Sequence, residues 1–270
     1  MLEEKYVATG LGRLRVETGG DGPALMFWSS LLMDSSMWAA QVEHFLPNHR
    51  VIVVDPPGHG RSQALNRPFT FDECAEAIVR ILDALDVERT HFVGNSWGGM
   101  IGGTFAATYP DRVGAAVLMN CTASLAGRNQ QLEYGALVAV ARVIGGIRGP
   151  LVRSAVDAFL GPTTKQHKPD VVSAVKAAIR RLDFNSAHWA VTSVVPRRPD
   201  QLALVAGITS PVLVVAGVED ATFPVAETRA MADAIPGAEF VVLEGAAHLA
   251  ALESPAETNA LIESFLARHA

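Results

Sequence analysis

The stretch THFVGNSWGGMIGGTFAATYP, Thr90 to Pro110, decides the fold. Its first residues are apolar and β-branched, the composition of a short buried strand. Its second half reads as a helix that stops at Pro110. Between them stand Gly94-Asn95-Ser96-Trp97-Gly98-Gly99. A serine hydroxyl is a weak nucleophile unless it is exposed beside a base. A tight turn between strand and helix exposes it, and flanking glycines permit that turn. The turn also sets Ser96 at a helix N-terminus, where free N–H groups and the helix dipole favour developing negative charge. A glycine-rich helix cap with an idle serine would explain the same letters, but it gives no structural reason for two glycines at a helix start.

Outward from this stretch the same alternation recurs. On the N-terminal side, RLRVET, ALMFWSS and RVIVVDPPG read as strands, SSMWAAQVEHFLP and TFDECAEAIVRILDALDV as helices. The second helix opens on Thr70 with Glu73 three residues on, a capping box. On the C-terminal side GAAVLMNCTA is a strand. PVLVVAGVED, VAETRAMADAIPG, AEFVVLEGAAH and SPAETNALIESFLARHA then give strand, helix, strand, helix. Apolar strands that alternate with helices predict a mostly parallel sheet covered on both faces, the α/β class. The rhythm fails between residues 124 and 200, where LEYGALVAVARVIGG and DVVSAVKAAIRRL follow one another without a strand. The expected organisation is a core of residues 1–123 and 201–270, with 124–200 as a helical cap over the carboxyl edge of the sheet, where open α/β folds bind ligands.

The chain's 270 residues are ample for one such domain, and 49% hydrophobic against 19% charged residues makes it globular. A net charge of −6 without any Lys/Arg stripe argues against nucleic acid or an anionic membrane as partner. The first residues, Met1-Leu2-Glu3-Glu4-Lys5, lack the basic and apolar regions of a signal peptide, and no run of roughly 18 apolar residues suggests a membrane span. Two cysteines, Cys74 and Cys121, offer neither a disulfide framework nor metal-ligand spacing. A reducing cytoplasm is the simplest setting. Neither a metal nor another cofactor is called for: no His-x-x-x-His pair and no Cys/His cluster occurs.

Ser96 needs a base. His248, in LEGAAHLAALESP just past the last strand, is placed to drop an imidazole beside it. His91 opens the strand that leads to Ser96 and points away from the active edge. Asp220, ending PVLVVAGVED, would orient His248 and stabilise its charged form. Glu219 is the neighbouring alternative, with its side chain expected on the other side. The order Ser96, Asp220, His248 is the order of one known class of serine hydrolases.

With these residues in view, the chain resembles α/β-hydrolase-fold enzymes. The elbow at Gly94–Gly99, DPPGHGRS (Asp55 to Ser62), GVEDATFP and GAAHLAALESP carry the likeness. It is most similar to 3-oxoadipate enol-lactonases, on SSLLMDSSMWAAQV, GGMIGGTFAATYPDRVGAAVLMN and IPGAEFVVLEGAAHLAALESPAETN. The resemblance implies an eight-stranded sheet, Ser96 as nucleophile, His248 as base and then acid, and Asp220 as its partner. It also implies an oxyanion hole of two backbone N–H groups, from Leu31 and Trp97. Ser29-Ser30 stand where many relatives carry His-Gly, a departure that enol-lactonase-like enzymes share. His59 is then a packing residue in a structural turn.

The expected activity is hydrolysis of a small carboxylic ester or lactone. Ser30, Phe159, Trp189 and the Trp97 ring are the candidate substrate contacts, although the Trp97 ring could equally pack in the core. A C–C bond hydrolase, or a perhydrolase or haloperoxidase, would use the same three residues. A non-catalytic small-ligand receptor is the reading from a different class. The sequence leaves homo-oligomerisation open, and among the arginines of the inferred cap it does not say which one, if any, faces inward.

Overall fold

A computed structural model describes residues 2–269 of the chain. One eight-stranded sheet runs in the order β1-β2-β4-β3-β5-β6-β7-β8. Its strands are β1 (Glu3–Thr9), β2 (Gly12–Gly19), β3 (Ala24–Trp28), β4 (Arg50–Val54), β5 (Thr90–Asn95), β6 (Val113–Met119), β7 (Val212–Gly217) and β8 (Glu239–Leu243). The pairs β1–β2 and β2–β4 are antiparallel and all others parallel. Strands β3 to β7 are buried at nearly every position, so both pleat faces are covered, as their unbroken apolar runs require.

β1 has no counterpart among the strands read from the sequence. EEKYVAT has only one fully buried residue, Val7, and an edge strand with a charged outer side leaves little apolar signal. Its register on β2 pairs Val7 with Leu14 and closes at Thr9 and Gly12.

Before the insertion stand helices α1 (Ala39–Phe45), α2 (Phe71–Ala84) and α3 (Trp97–Thr108). The capping box of α2 forms as read: Thr70 Oγ1 accepts the Glu73 N–H, and the Glu73 carboxylate accepts the Thr70 N–H. Between β6 and β7 the chain is helical throughout, with α4 (Arg128–Val143), α5 (Pro150–Phe159), α6 (Pro162–His167), α7 (Pro169–Arg181), α8 (Phe184–Val194) and α9 (Leu202–Val205). The last part carries α10 (Val225–Ala234), α11 (Ala250–Glu253) and α12 (Pro255–Arg268).

The strand order places the site. From β3 the chain moves to β4 on one side, and β5 to β8 build outward on the other. The carboxyl ends of β3 and β5 therefore flank the point where the winding reverses, and a crevice opens there. The segment after Trp28 and the turn at Ser96 meet at that crevice.

Candidate active site

Ser96 is the residue between β5 and α3, and its backbone has φ 56° and ψ −115°. A non-glycine residue at positive φ is strained, and the surroundings must hold it there. They do: the Ser96 N–H donates to Met119 O at 2.7 Å, and its carbonyl accepts the Met100 N–H at 3.0 Å. The glycines are needed for close approach. A methyl group at Gly98 would run into the Trp28 carbonyl oxygen, and one at Gly94 into the Gly98 carbonyl. Gly98 and Gly94 thus let the start of α3 press against the ends of β3 and β5.

The structure brings Ser96, Asp220 and His248 together. His248 Nε2 lies 2.7 Å from Ser96 Oγ, and His248 Nδ1 lies 3.0 Å from Asp220 Oδ2. A carboxylate accepts, so Nδ1 carries the ring proton and the Nε2 lone pair faces the hydroxyl. Ser96 and Asp220 are 4% exposed and His248 is 1% exposed. Asp220 Oδ1 accepts the N–H groups of Thr222 (2.8 Å) and Phe223 (3.0 Å), which fixes the carboxylate plane. Glu219, the neighbouring acid, turns away to the backbone N–H and hydroxyl of Thr163.

His248 sits on a loop whose backbone is held from several sides. Asn95 Nδ2 donates to His248 O, and Asn120 Nδ2 donates to Ala247 O, both at 2.8 Å. The Glu253 carboxylate, wholly buried, accepts the N–H groups of Ala247 (3.0 Å) and Leu249 (3.1 Å) on Oε1 and that of Gly161 (3.1 Å) on Oε2. Burial raises its pKa above the ordinary carboxylate value, against the pull of these donors. One side chain therefore clamps both flanks of His248 and also ties the start of α6 to the core. Glu253 carries only one signal in the sequence, an acid within the apolar run of HLAALESP.

The segment after β3 is equally determined. Ser30 O accepts the Met33 N–H, Ser29 Oγ donates to Asp34 O, and Leu32 adopts φ 65°. His59 does more than pack. Its Nδ1–H donates to Pro57 O at 3.0 Å, and Nε2 accepts the Leu32 N–H at 3.0 Å. Burial lowers the His59 pKa, consistent with a neutral ring that can accept. Among the described residues, the N–H groups of Leu31 and Trp97 donate to no protein acceptor, and Leu31 lies on the cavity that holds Ser96.

That cavity is about 200 Å³, and its wall is mostly apolar. Phe159 stacks on the His248 ring at 5.4 Å, and Phe223 packs on it from another direction. Helices α4, α5 and α8 supply the outer wall through residues such as Tyr134, Ala155 and Val191.

Of the four residues expected to touch substrate, only Phe159 is on this wall. The other three need correction. The Trp97 indole is fully buried against the Trp28, His59 and Phe69 rings, which take up its apolar surface, and it is not on the cavity wall. Ser30 is fully buried, and its hydroxyl has no protein partner and no cavity surface. Trp189 stands five residues past Phe184 on α8, which turns it about 140° away from the face that Phe184 presents to the cavity. The wall also contains one residue that no motif pointed to, Arg198.

Among the described residues, no group of three His, Cys, Asp or Glu side chains could hold a metal ion, and no helix is long and apolar enough to cross a membrane. Cys74 and Cys121 are free and buried, and burial raises both thiols well above their ordinary pKa.

A model of the alpha/beta hydrolase fold family matches residues 23–255. The 3-oxoadipate enol-lactonase 2 of Acinetobacter baylyi is 27% identical over 248 residues, 92% of this chain and 90% of that protein. A thermophilic esterase from Thermogutta terrifontis superposes with a TM-score of 0.91 at 26% identity, over 99% of this chain and 100% of that one. The enol-lactonase from Burkholderia xenovorans LB400 does so with a TM-score of 0.90 at 26% identity, over 97% and 100%.

Proposed function

The chain belongs to the alpha/beta hydrolase fold family, and from that premise we propose that it is a serine hydrolase of small carboxylic esters or lactones. The observation that carries the reading is the unbroken line Ser96 Oγ, His248 Nε2, His248 Nδ1, Asp220 Oδ2, at 2.7 Å and 3.0 Å. The names of the relatives, two enol-lactonases and an esterase, lend support to the substrate class.

Ser96 Oγ attacks the carbonyl carbon while His248 Nε2 takes the hydroxyl proton. The carbonyl electron pair moves onto oxygen, and the free N–H groups of Leu31 and Trp97 donate to it. Collapse expels the alcohol oxygen, which receives the proton from His248 and leaves an acyl group on Ser96. Water then repeats the sequence: His248 takes its proton, the oxygen attacks the acyl carbon, and Ser96 regains its proton as the acid departs. Asp220 keeps the ring in the Nδ1–H tautomer and faces the charge that His248 gains. In this reading residues 124–200 are a cap that excludes water from the cavity, and no cofactor takes part.

Ser96→Ala should lower hydrolysis of 4-nitrophenyl esters and of simple lactones by roughly 10⁴-fold or more. A fluorophosphonate should label the native protein on Ser96. Full activity in the Ser96→Ala protein, or no labelling of the folded native protein, would defeat this reading and favour a receptor.

A further inference from the structure

Arg198 follows α8, and its side chain is out of place for a surface cation. The residue is only 5% exposed and lies on the wall of the cavity that holds Ser96 and His248. Its Nε–H donates to Ser124 O at 2.8 Å, and Nη2 makes a long contact of 3.4 Å with Gln130 Oε1. Nη1 is buried and has no acceptor. Among the described residues no carboxylate contacts it, and Glu227 acts on it only from beyond ion-pair distance. The contrast is Arg15, just as buried, which is met by Glu4, Glu17 and Asp55. A buried guanidinium without a contacting counter-ion is costly, and an anion that comes to meet it offsets that cost. Glu133, the one acid on the same wall, is exposed and forms no ion pair with it.

We propose that Arg198 is a specificity-determining subsite for a carboxylate, so that the preferred substrate is an ester or lactone carrying a carboxylate group remote from the scissile carbonyl. This inference rests on the hydrolase reading for the identity of the reacting bond, and on Arg198 alone for the charge. The placement is suitable. The Arg198 guanidinium lies over the Phe223 ring at 5.4 Å, and the His248 ring packs on the same Phe223 ring, also at 5.4 Å. A carboxylate at Arg198 is thus held about one aromatic ring away from the reacting centre, while the apolar wall takes the chain between. Among the described residues Arg198 is the only Arg or Lys on the wall, which suits a monoanion; a guanidinium edge matches the planar carboxylate.

The test uses a binding measurement and a rate ratio. In the Ser96→Ala protein, where turnover cannot intervene, calorimetry compares pentanedioic acid monomethyl ester with the neutral dimethyl ester. The monoester is expected to bind roughly 10- to 100-fold tighter, and Arg198→Met in the same background is expected to remove that advantage. Equal affinity of the two ligands, or an advantage that survives Arg198→Met, overturns the proposal. The comparison within Ser96→Ala needs no arginine variant, so it decides the matter even if Arg198→Met does not fold. In the otherwise native enzyme, kcat/KM for the 4-nitrophenyl monoester of pentanedioic acid relative to 4-nitrophenyl pentanoate should fall by a similar factor in Arg198→Met, chiefly through KM, with Arg198→Lys between the two. An unchanged ratio counts against Arg198. Failure of the native protein to cleave either ester counts instead against the hydrolase reading and leaves the binding result standing.

Discussion

Glu253→Gln and Glu253→Ala separate the two jobs assigned to one buried carboxylate. In the native protein Oε1 takes two N–H groups, from Ala247 and Leu249, and Oε2 takes a third, from Gly161. Glutamine can keep the first pair on its amide oxygen, but its NH₂ then faces the Gly161 N–H, donor against donor. One stranded buried donor costs about 1–3 kcal/mol, and that is the expected loss for Glu253→Gln. Alanine strands all three donors and leaves a gap, which would sum to about 3–9 kcal/mol. The native side chain, however, carries a desolvation cost of its own, visible as its raised pKa, and removal recovers part of it. The net loss for Glu253→Ala should therefore be about 3–5 kcal/mol, a large fraction of the roughly 5–15 kcal/mol that holds a domain together. Urea unfolding at pH 7.5 reads both values. Because Ala247 and Leu249 flank His248, Glu253→Gln should also lower kcat more than it raises KM on a nitrophenyl ester. A displacement of the base by about 1 Å is enough for a loss on the order of 100-fold. Two variants that unfold within about 0.5 kcal/mol of each other and of the native protein would refute the clamp, since that is the range of an inconsequential surface change.

Two further outcomes follow from the same geometry. His59 is fully buried with its pKa below the ordinary 6.5, so the folded state binds its proton less readily than the unfolded chain. Its stability contribution is complete above pH 6.5 and is lost as pH falls from there toward the lowered folded value, at up to about 1.4 kcal/mol per pH unit. His49 and His91 are shifted in the same direction, so His59→Gln should make the decline of urea stability between pH 6.5 and 5 shallower without abolishing it; slopes that coincide with the native ones would contradict the assignment. Trp97→Leu removes a ring packed on Trp28, Phe69 and His59 and should cost about 2–4 kcal/mol in urea, while the order of rates over a series of nitrophenyl esters of rising acyl length stays the same; a reordered series would put the ring in the cavity after all.

Much of the molecule is legible in the chain because its signals are local. The strand, Gly-x-Ser-x-Gly turn and helix around Ser96 are adjacent residues whose backbone demands are set by glycine and by apolar runs, and the Thr70–Glu73 capping box spans only four residues. The parallel sheet is legible for the same reason, since its central strands are buried on both faces and read as unbroken apolar stretches. β1 is not legible in this way because an edge strand buries too little to leave that mark. Trp97 and Trp189 show the limit from the other side. Composition says that a tryptophan is buried or half-buried, but not against what, and the direction of each ring follows from the helix phase and the neighbours it meets.

What the sequence determined by itself was the α/β architecture, the strained turn at Ser96 and a short list of residues able to serve it. The sequence also favours Asp220 over its neighbour Glu219 as the acid facing His248, and tertiary structure adds the reason, the crossing of α6 that gives Glu219 another partner. Tertiary structure alone decided that Glu253 holds the loop of His248, that His59 holds the segment beside Leu31, and that Arg198 stands on the cavity wall with its Nη1 unpartnered. Each of these depends on groups brought together from distant parts of the chain, where hydrogen-bond satisfaction and burial act over distances in space that residue order does not encode.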